Sequence, residues 1–127
     1  MTRALRIVVA DDEPVMLDYF QRMLPWLGYE VVAAAANGRE LVELCRQTKP
    51  DLIIADVRMP DMDGDVAVQQ ILQDAPIPFI LISAFSKLAR IPDGVGSIGW
   101  AYLTKPVKRE DLAKAIEQVF SASAGPG

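Results

Sequence analysis

Five short apolar runs, separated by longer amphipathic stretches, limit what this chain can fold into more than any other feature. The runs cover residues 7–10, 31–36, 52–55 and 79–82, with a weaker fifth run at residues 100–103. Polar residues do not alternate with apolar ones inside these runs, which is typical of strands covered on both faces in a parallel sheet. The stretches between them carry apolar residues at the three- and four-residue spacing of amphipathic helices.

This alternation predicts a single doubly wound α/β domain within the 127 residues. Right-handed crossovers place helices on both faces of a five-stranded parallel sheet, and the strand order 2-1-3-4-5 is the common solution at this size. Residues 1–121 are predicted to form the domain. Residues 122–127 are small and rich in helix breakers, so they are expected to be a flexible tail or the start of a linker.

Two segments carry strong helix-breaking signals. Pro25 is expected to end or kink the first helix, with Gly28 as its terminator. The stretch of residues 86–99, between the fourth and fifth strands, contains one proline and three glycines. Because these residues cost about 3 and 1 kcal/mol each inside a helix, the helix expected there is predicted to be short or partly unwound.

Composition excludes several classes of function. The chain has 13 Lys and Arg against 17 Asp and Glu, which argues against a direct nucleic-acid-binding surface. It contains no histidine, so Ser-His-Asp and Cys-His catalysis and histidine-ligated zinc are excluded. The single Cys45 cannot form an internal disulfide. The first residues lack the pattern of a signal peptide and the apolar runs are far shorter than the ~20 residues that cross a bilayer, so we expect a cytoplasmic protein with no membrane insertion.

Polar residues follow four of the predicted strands, at the edge where doubly wound sheets bind their ligands. The acidic residues 11–13 follow the first strand, Asp56 the third, Ser83 the fourth and Lys105 the fifth. Carboxylates brought this close repel, so the cluster needs raised pKa values or a cation. Oxygen ligands without imidazole favour Mg²⁺. A carboxylate, Mg²⁺, a hydroxyl and a lysine are the groups that handle a phosphoryl group, and Asp56 can form an aspartyl phosphate.

From Arg6 to about Phe120, the chain resembles a known family, the receiver domains of two-component response regulators. Each matching motif is weak alone, but all occur in order and at the family spacing. They are Asp11-Asp12, Asp56 after an apolar strand, the turn Met59-Pro60-Asp61-Met62-Asp63-Gly64, Ser83-Ala84, and Tyr102-Leu103-Thr104-Lys105-Pro106. The resemblance implies a flavodoxin-like fold and a phosphoacceptor domain that is not an enzyme beyond self-phosphorylation and autodephosphorylation.

The resemblance also implies a role for each residue at the phosphoryl group. Asp56 would accept it from a histidine of a partner, either a sensor histidine kinase or a histidine phosphotransfer protein. Ser83 and Lys105 would bind phosphoryl oxygens, and the Lys105-Pro106 bond would be cis. Ser83 and Tyr102 would form the switch that controls a downstream output partner, whose identity the sequence does not give.

For the metal, the resemblance implies that Asp12 binds Mg²⁺ directly and Asp11 binds it through water. Asp56 and the backbone carbonyl of Arg58 would complete the protein ligands. Arg58 and Phe85 flank the route of an attacking water in this family. We therefore expect bulky groups at these two positions to slow loss of the phosphoryl group.

Simpler interpretations of single residues stay open. The acidic residues 11–13 could cap the first helix, and Tyr102 could be an ordinary core aromatic. An EF-hand beginning at Asp61 fails, because its glycine and glutamate positions hold Val66 and Leu72. The acids of this turn are better explained as turn residues, with Gly64 supplying a backbone conformation that other residues avoid.

Other functions are also considered. A small aspartate-based phosphohydrolase would place its nucleophile after the first strand and usually carries a cap. A flavin or nucleotide carrier would need a phosphate cradle after that strand, where this chain has acids. A phosphorylation-independent interaction module is the remaining alternative. Whether the domain acts alone or is part of a longer regulator is left open.

Overall fold

The computed structural model describes residues 4–85, 92 and 95–123 of the chain, without the side chains of residues 121–123. The strands in this part are β1 (Arg6–Ala10), β2 (Glu30–Ala35), β3 (Leu52–Asp56), β4 (Phe79–Ser83) and β5 (Trp100–Thr104). The helices in the same residues are α1 (Pro14–Trp26), α2 (Gly38–Thr48), α3 (Gly64–Asp74) and α4 (Arg109–Ser123).

The strands form one parallel sheet, and its order confirms the sequence prediction. Within the described residues, the sheet has five strands in the order β2-β1-β3-β4-β5. Strands β3 and β4 are buried along their whole length, whereas β5 at one edge is only half-buried. The weaker apolar run at residues 100–103 is therefore a strand, and its mixed composition reflects its place at the edge.

Helices cover both faces of the sheet, which explains why the apolar runs do not alternate. Ile7 and Val9 of β1 pack on one side, in the core that contains the buried residues of α1 and α4. Val8 and Ala10 pack on the other side, against α2 and α3. The single Cys45 is buried in this second core, and burial raises the pKa of its thiol to about 12.

The end of α1 follows the prediction made from its proline and glycine. Pro25 lies in the last turn, and the helix ends at the next residue, Trp26. Gly28 has a φ of 97° and donates its N–H to the carbonyl of Pro25 at 2.9 Å. This backbone region favours glycine, so the chain can turn directly into β2.

Two predictions fall partly on residues that the structure does not describe. The short or partly unwound helix was predicted for residues 86–99, of which residues 86–91 and 93–94 lie outside the described residues. Residues 95–99, which are described, are not helical and contain a turn in which Ile98 N–H bonds to the Val95 carbonyl. The boundary at residue 121 stays a prediction: α4 runs to Ser123, and residues 124–127 lie outside the described part.

Gly64 is needed for a different reason from the one expected. The positive φ in this turn falls on Asp61, at 67°, and not on Gly64. Gly64 instead begins α3 directly against the end of β3, where a Cβ would lie 2.1 Å from the carbonyl oxygen of Asp56. Its N–H also bonds to the carbonyl of Val57 at 2.7 Å. The start of α3 therefore packs directly against the backbone of Asp56.

We predict that Gly64→Ala destabilises the fold by about 1–3 kcal/mol, because a buried Cβ has no room without a backbone shift. Urea denaturation followed by circular dichroism measures the change. The neighbouring substitution Asp63→Ala is the control, since the Asp63 side chain makes no helix-capping hydrogen bond. Equal stability of Gly64→Ala and the wild type would show that the close approach imposes no constraint.

Candidate functional site

Backbone hydrogen bonds fix the residues that follow the strands. The N–H of Asp11 bonds to the carbonyl of Ala35 at 3.0 Å, and the N–H of Lys105 bonds to the carbonyl of Ser83 at 2.7 Å. These bonds continue the sheet beyond β1 and β5. The residues predicted to act together are therefore held by the sheet itself, at its carboxyl edge.

The predicted residues meet around one cleft of about 310 Å³. Its lining combines carboxylates, cations, a hydroxyl and an exposed aromatic ring: Asp12, Glu13, Asp56, Arg58, Ser83, Ala84, Phe85 and Lys105. Asp11 lies beneath it, 1% exposed, and its carboxylate reaches the same lysine. The structure thus brings together the acids, the hydroxyl and the lysine that the sequence placed at four strand ends.

Three carboxylates form a possible cation site. Asp11, Asp12 and Asp56 each offer an oxygen, and these oxygens lie within 4.8 Å of one another. Oδ1 of Asp11 accepts a hydrogen bond from the backbone N–H of Glu13 at 2.9 Å, whereas its Oδ2 is buried and, among the described residues, has only the longer ion-pair contact with the Lys105 ammonium at 3.4 Å. A buried carboxylate oxygen in this state calls for a compensating group. Oxygen donors without imidazole or thiolate fit Mg²⁺.

The ammonium group of Lys105 lies among the carboxylates. Its Nζ atom is 3.1 Å from Oε1 of Glu13, 3.3 Å from Oδ2 of Asp56 and 3.4 Å from Oδ2 of Asp11. The first two contacts are hydrogen bonds. The sequence favoured an inward-facing Lys105 over a solvated one, and the Lys105 ammonium group does face the carboxylates of the site.

The electrostatics follow from burial. Desolvation raises the pKa of Asp56, and the nearby charge of Asp11 raises it further, while Lys105 and the Arg58 backbone N–H oppose the shift. Desolvation likewise raises the pKa of Asp11 against the Glu13 backbone N–H and Lys105. Burial alone would lower the pKa of Lys105, but its bond to Glu13 and the charges of Asp11 and Asp56 raise it. The site therefore holds more negative charge than one lysine neutralises.

The hydroxyl groups of the site converge on the loop that follows β4. Ser83 is buried, and its Oγ accepts a hydrogen bond from the N–H of Phe85 at 3.1 Å. The Tyr102 hydroxyl donates to the carbonyl oxygen of Phe85, while its ring packs against the α2–α3 core. Tyr102 is thus both a packed aromatic and a partner of this loop, and its role as a switch stays a prediction.

Arg58 and Phe85 meet across the mouth of the cleft. The Arg58 guanidinium carbon lies 5.5 Å from the centre of the Phe85 ring, within the range of a cation–π interaction. Both side chains are exposed, Phe85 by 59%. On the other side of the site, the Lys105-Pro106 peptide bond is cis, as the resemblance implied.

Sequence reasoning missed the contact made by Glu13. Glu13 occupies the N-cap position of α1, as the simpler interpretation of the acidic run allowed, but its side chain makes no capping hydrogen bond. It bonds to Lys105 instead, across 92 positions of sequence. The acidic run of residues 11–13 was the only indication in the sequence that Glu13 matters, and it did not show where the Glu13 side chain points.

We predict that Asp11→Asn stabilises the Mg²⁺-free fold near neutral pH by on the order of 1 kcal/mol, because it removes a buried charge whose desolvation outweighs its contacts with the Glu13 N–H and Lys105. Since the pKa of Asp11 is raised, the folded state binds the proton of the Asp11 carboxyl group more tightly than the unfolded chain does. The stability that comes from binding this proton is present at low pH and is lost as the pH rises from 3.8 through the raised pKa of Asp11.

Urea denaturation at about pH 7 and about pH 4 tests this linkage. The advantage of Asp11→Asn should shrink toward the lower pH, and added Mg²⁺ should stabilise the wild type more than the variant. Asp12→Asn removes the same charge from an exposed position and should have a smaller effect. An Asp11→Asn variant less stable than the wild type at neutral pH would contradict the prediction.

Comparison with known proteins supplies a family for this geometry. Residues 7–117 match the model of the response regulator receiver domain. The transcriptional regulatory protein PdtaR of Mycobacterium tuberculosis is 38% identical over 116 residues, which are 91% of this chain and 57% of that protein. The chemotaxis protein CheY of Bacillus subtilis is 33% identical over 119 residues, 93% of this chain and 99% of that protein. The chain thus spans little more than half of PdtaR and nearly all of CheY.

Solved structures agree with these matches. A two-component response regulator of the LuxR family from Aurantimonas sp. superimposes with a TM-score of 0.81 at 28% identity, covering 94% of this chain and 86% of that one. The anti-anti-sigma factor PhyR of Bartonella quintana gives a TM-score of 0.77 at 30% identity over 94% of this chain and 49% of that one. None of the helices in the described residues is long and apolar enough to cross a membrane. The family match, the strand order and the cluster of acids around one lysine lead to the same conclusion: the chain belongs to the response regulator receiver domain family.

Proposed function

We propose that this domain receives a phosphoryl group on Asp56 with the help of Mg²⁺ and passes the signal on through a change of conformation. The observation that carries the proposal is the convergence of three carboxylates within 4.8 Å, with the Lys105 ammonium 3.3 Å from Asp56. Receiver domains are signalling domains and not enzymes, so the chemistry at Asp56 serves a change of state and not turnover of a substrate.

The transfer is a single displacement at phosphorus. A carboxylate oxygen of Asp56 forms the new O–P bond as the N–P bond to a partner histidine breaks, and the imidazole leaves with its electron pair. Mg²⁺, held by Asp11, Asp12, Asp56 and the Arg58 carbonyl, would neutralise charge on the phosphoryl oxygens. Lys105 and Ser83 would each bind one of those oxygens. The chain contains no histidine, which agrees with a donor imidazole supplied by the partner.

The change of state would pass through the loop after β4. Inverting a two-state population from 1:99 to 99:1 takes about 5.5 kcal/mol of differential interaction. Hydrogen bonds from Ser83 and Lys105 to charged phosphoryl oxygens supply roughly 1.5–3 kcal/mol each. Ser83 already accepts from the N–H of Phe85, and Tyr102 donates to the carbonyl of that residue. Moving Ser83 toward a phosphoryl group would therefore alter the loop and Tyr102 together.

The partners belong to the proposal as well. We expect the donor to be a sensor histidine kinase or a histidine phosphotransfer protein in the cytoplasm, and the recipient to be an output partner or an output domain. Since the chain spans 57% of PdtaR, the output of a longer protein would lie outside these residues. Residues 1–121 would be the receiver unit, and the residues after them a tail or linker.

The proposal predicts that Asp56→Asn abolishes phosphorylation, because an amide cannot form the acyl phosphate. Incubation with acetyl phosphate and Mg²⁺, followed by intact mass spectrometry, should show one added phosphoryl group on the wild type and none on the variant. Asp61→Asn removes a carboxylate from the adjoining turn, where it is exposed, and should be labelled as the wild type is. A wild type that takes up no phosphoryl group, or labelling that persists in Asp56→Asn, would overturn the proposal.

The pair at the mouth of the cleft gives a further prediction. Arg58 and Phe85 lie over the approach to Asp56, so Arg58→Ala or Phe85→Ala should let water reach the phosphoryl group and shorten its half-life several-fold. Decay of the labelled protein after removal of the donor measures this rate. Arg22→Ala removes an exposed arginine of α1 that does not line the cleft and serves as the control. Unchanged half-lives in both cleft variants would refute the idea.

A further inference from the structure

Glu13 makes a contact that the roles assigned above do not use. Its carboxylate accepts a hydrogen bond from Lys105 at 3.1 Å, the shortest of the three carboxylate contacts of that ammonium. The side chain of Glu13 is 62% exposed, and that of Lys105 is 19% exposed. A residue at the rim of the cleft therefore holds the lysine that must turn to the phosphoryl group.

Neither of the other expected uses accounts for this side chain. It makes no capping hydrogen bond to α1, although Glu13 stands at the N-cap position. It also lies outside the group of carboxylates that could share a metal ion, which is formed by Asp11, Asp12 and Asp56. Within the described part of the chain, the Glu13 carboxylate makes its hydrogen bond with Lys105.

We infer that Glu13 is a positioning residue that partly neutralises Lys105 and competes with the phosphoryl group for it. The inference rests on the proposed function and assigns a residue that tunes it. An ammonium group has three N–H donors, and in this structure it donates to Glu13 and Asp56. When a phosphoryl oxygen arrives on Asp56, Lys105 must either leave Glu13 or be shared with it.

This arrangement has two consequences of opposite sign. Glu13 screens the positive charge of Lys105 from a cation at Asp11, Asp12 and Asp56, and so favours Mg²⁺ binding. The same negative charge opposes an anionic group on Asp56, and so disfavours the phosphorylated state. Removing the charge of Glu13 should weaken Mg²⁺ binding and favour the phosphorylated state. General damage to the site would weaken both.

The expected effect of removing the Glu13 charge on either equilibrium is small because the Glu13 side chain is exposed. A surface ion pair changes an equilibrium constant by only about two- to five-fold. The effect should shrink at about 1 M salt, where the screening length is about 3 Å. This salt dependence separates an electrostatic role from a change in packing.

The test compares the wild type with Glu13→Gln, which keeps the shape of the side chain and removes its charge. Backbone amide signals of Val57 and Phe85 in NMR spectra report titration with Mg²⁺ alone, and then with beryllofluoride at saturating Mg²⁺ as a stand-in for the phosphoryl group. We expect the dissociation constant for Mg²⁺ to rise about two- to five-fold and that for beryllofluoride to fall by a similar factor. Both changes should diminish in high salt.

Glu43→Gln, an exposed substitution on α2 with the same change of charge, is the control and should leave both constants unchanged. Constants for Glu13→Gln that match the wild type, or that move in the same direction, overturn the inference. Failure of the proposed function is distinguishable from this result: the wild type itself would then bind beryllofluoride no better than Asp56→Asn does. The Mg²⁺ titration still tests the role of Glu13 in that case.

Discussion

Two buried carboxylates, those of Asp11 and Asp56, share the ammonium group of Lys105 at the carboxyl edge of the sheet. Burial raises the pKa of both acids, so the fold bears an electrostatic cost at this edge in the absence of a cation. Asp11 follows β1 and Asp56 ends β3, two strands of which nearly every residue is buried. The excess of negative charge beside one lysine is the feature on which the proposed binding of a divalent cation rests.

The sheet makes that arrangement possible. Strands β1 and β3 lie side by side in the middle, so their ends bring Asp11 and Asp56 together without any long loop. The helices on either face bury β3 and β4 along their whole length, so polar groups converge at the carboxyl edge of the sheet. Gly64 then lets α3 begin against the carbonyl of Asp56. Asp56 is therefore held in place by its own strand, by the neighbouring strand and by the helix that follows it.

Much of this could be predicted from the sequence, for physical reasons that differ from residue to residue. Apolar runs without alternation predicted a sheet buried on both faces, and the common strand order for a domain of this size predicted the edge where Asp56, Ser83 and Lys105 meet. Gly64 was recognised as special, but its close approach to another strand cannot be distinguished from an unusual φ in one sequence. The direction of the Glu13 side chain depends on the position of Lys105, which lies 92 positions further along the chain and is not encoded in the local sequence pattern. The segment after Phe85 was recognised as poor in helix formers, and its helix stays a prediction.

The burial of Cys45 has a practical consequence for the chemical labelling of this domain. Alkylating reagents attack the thiolate, and a thiol whose pKa is about 12, buried between the sheet and α2, presents almost none of it near neutral pH. We therefore expect the native chain to react slowly with maleimide and iodoacetamide reagents. A cysteine introduced at an exposed position such as Ser97 would take a spin label or fluorophore selectively, with the natural thiol left in place.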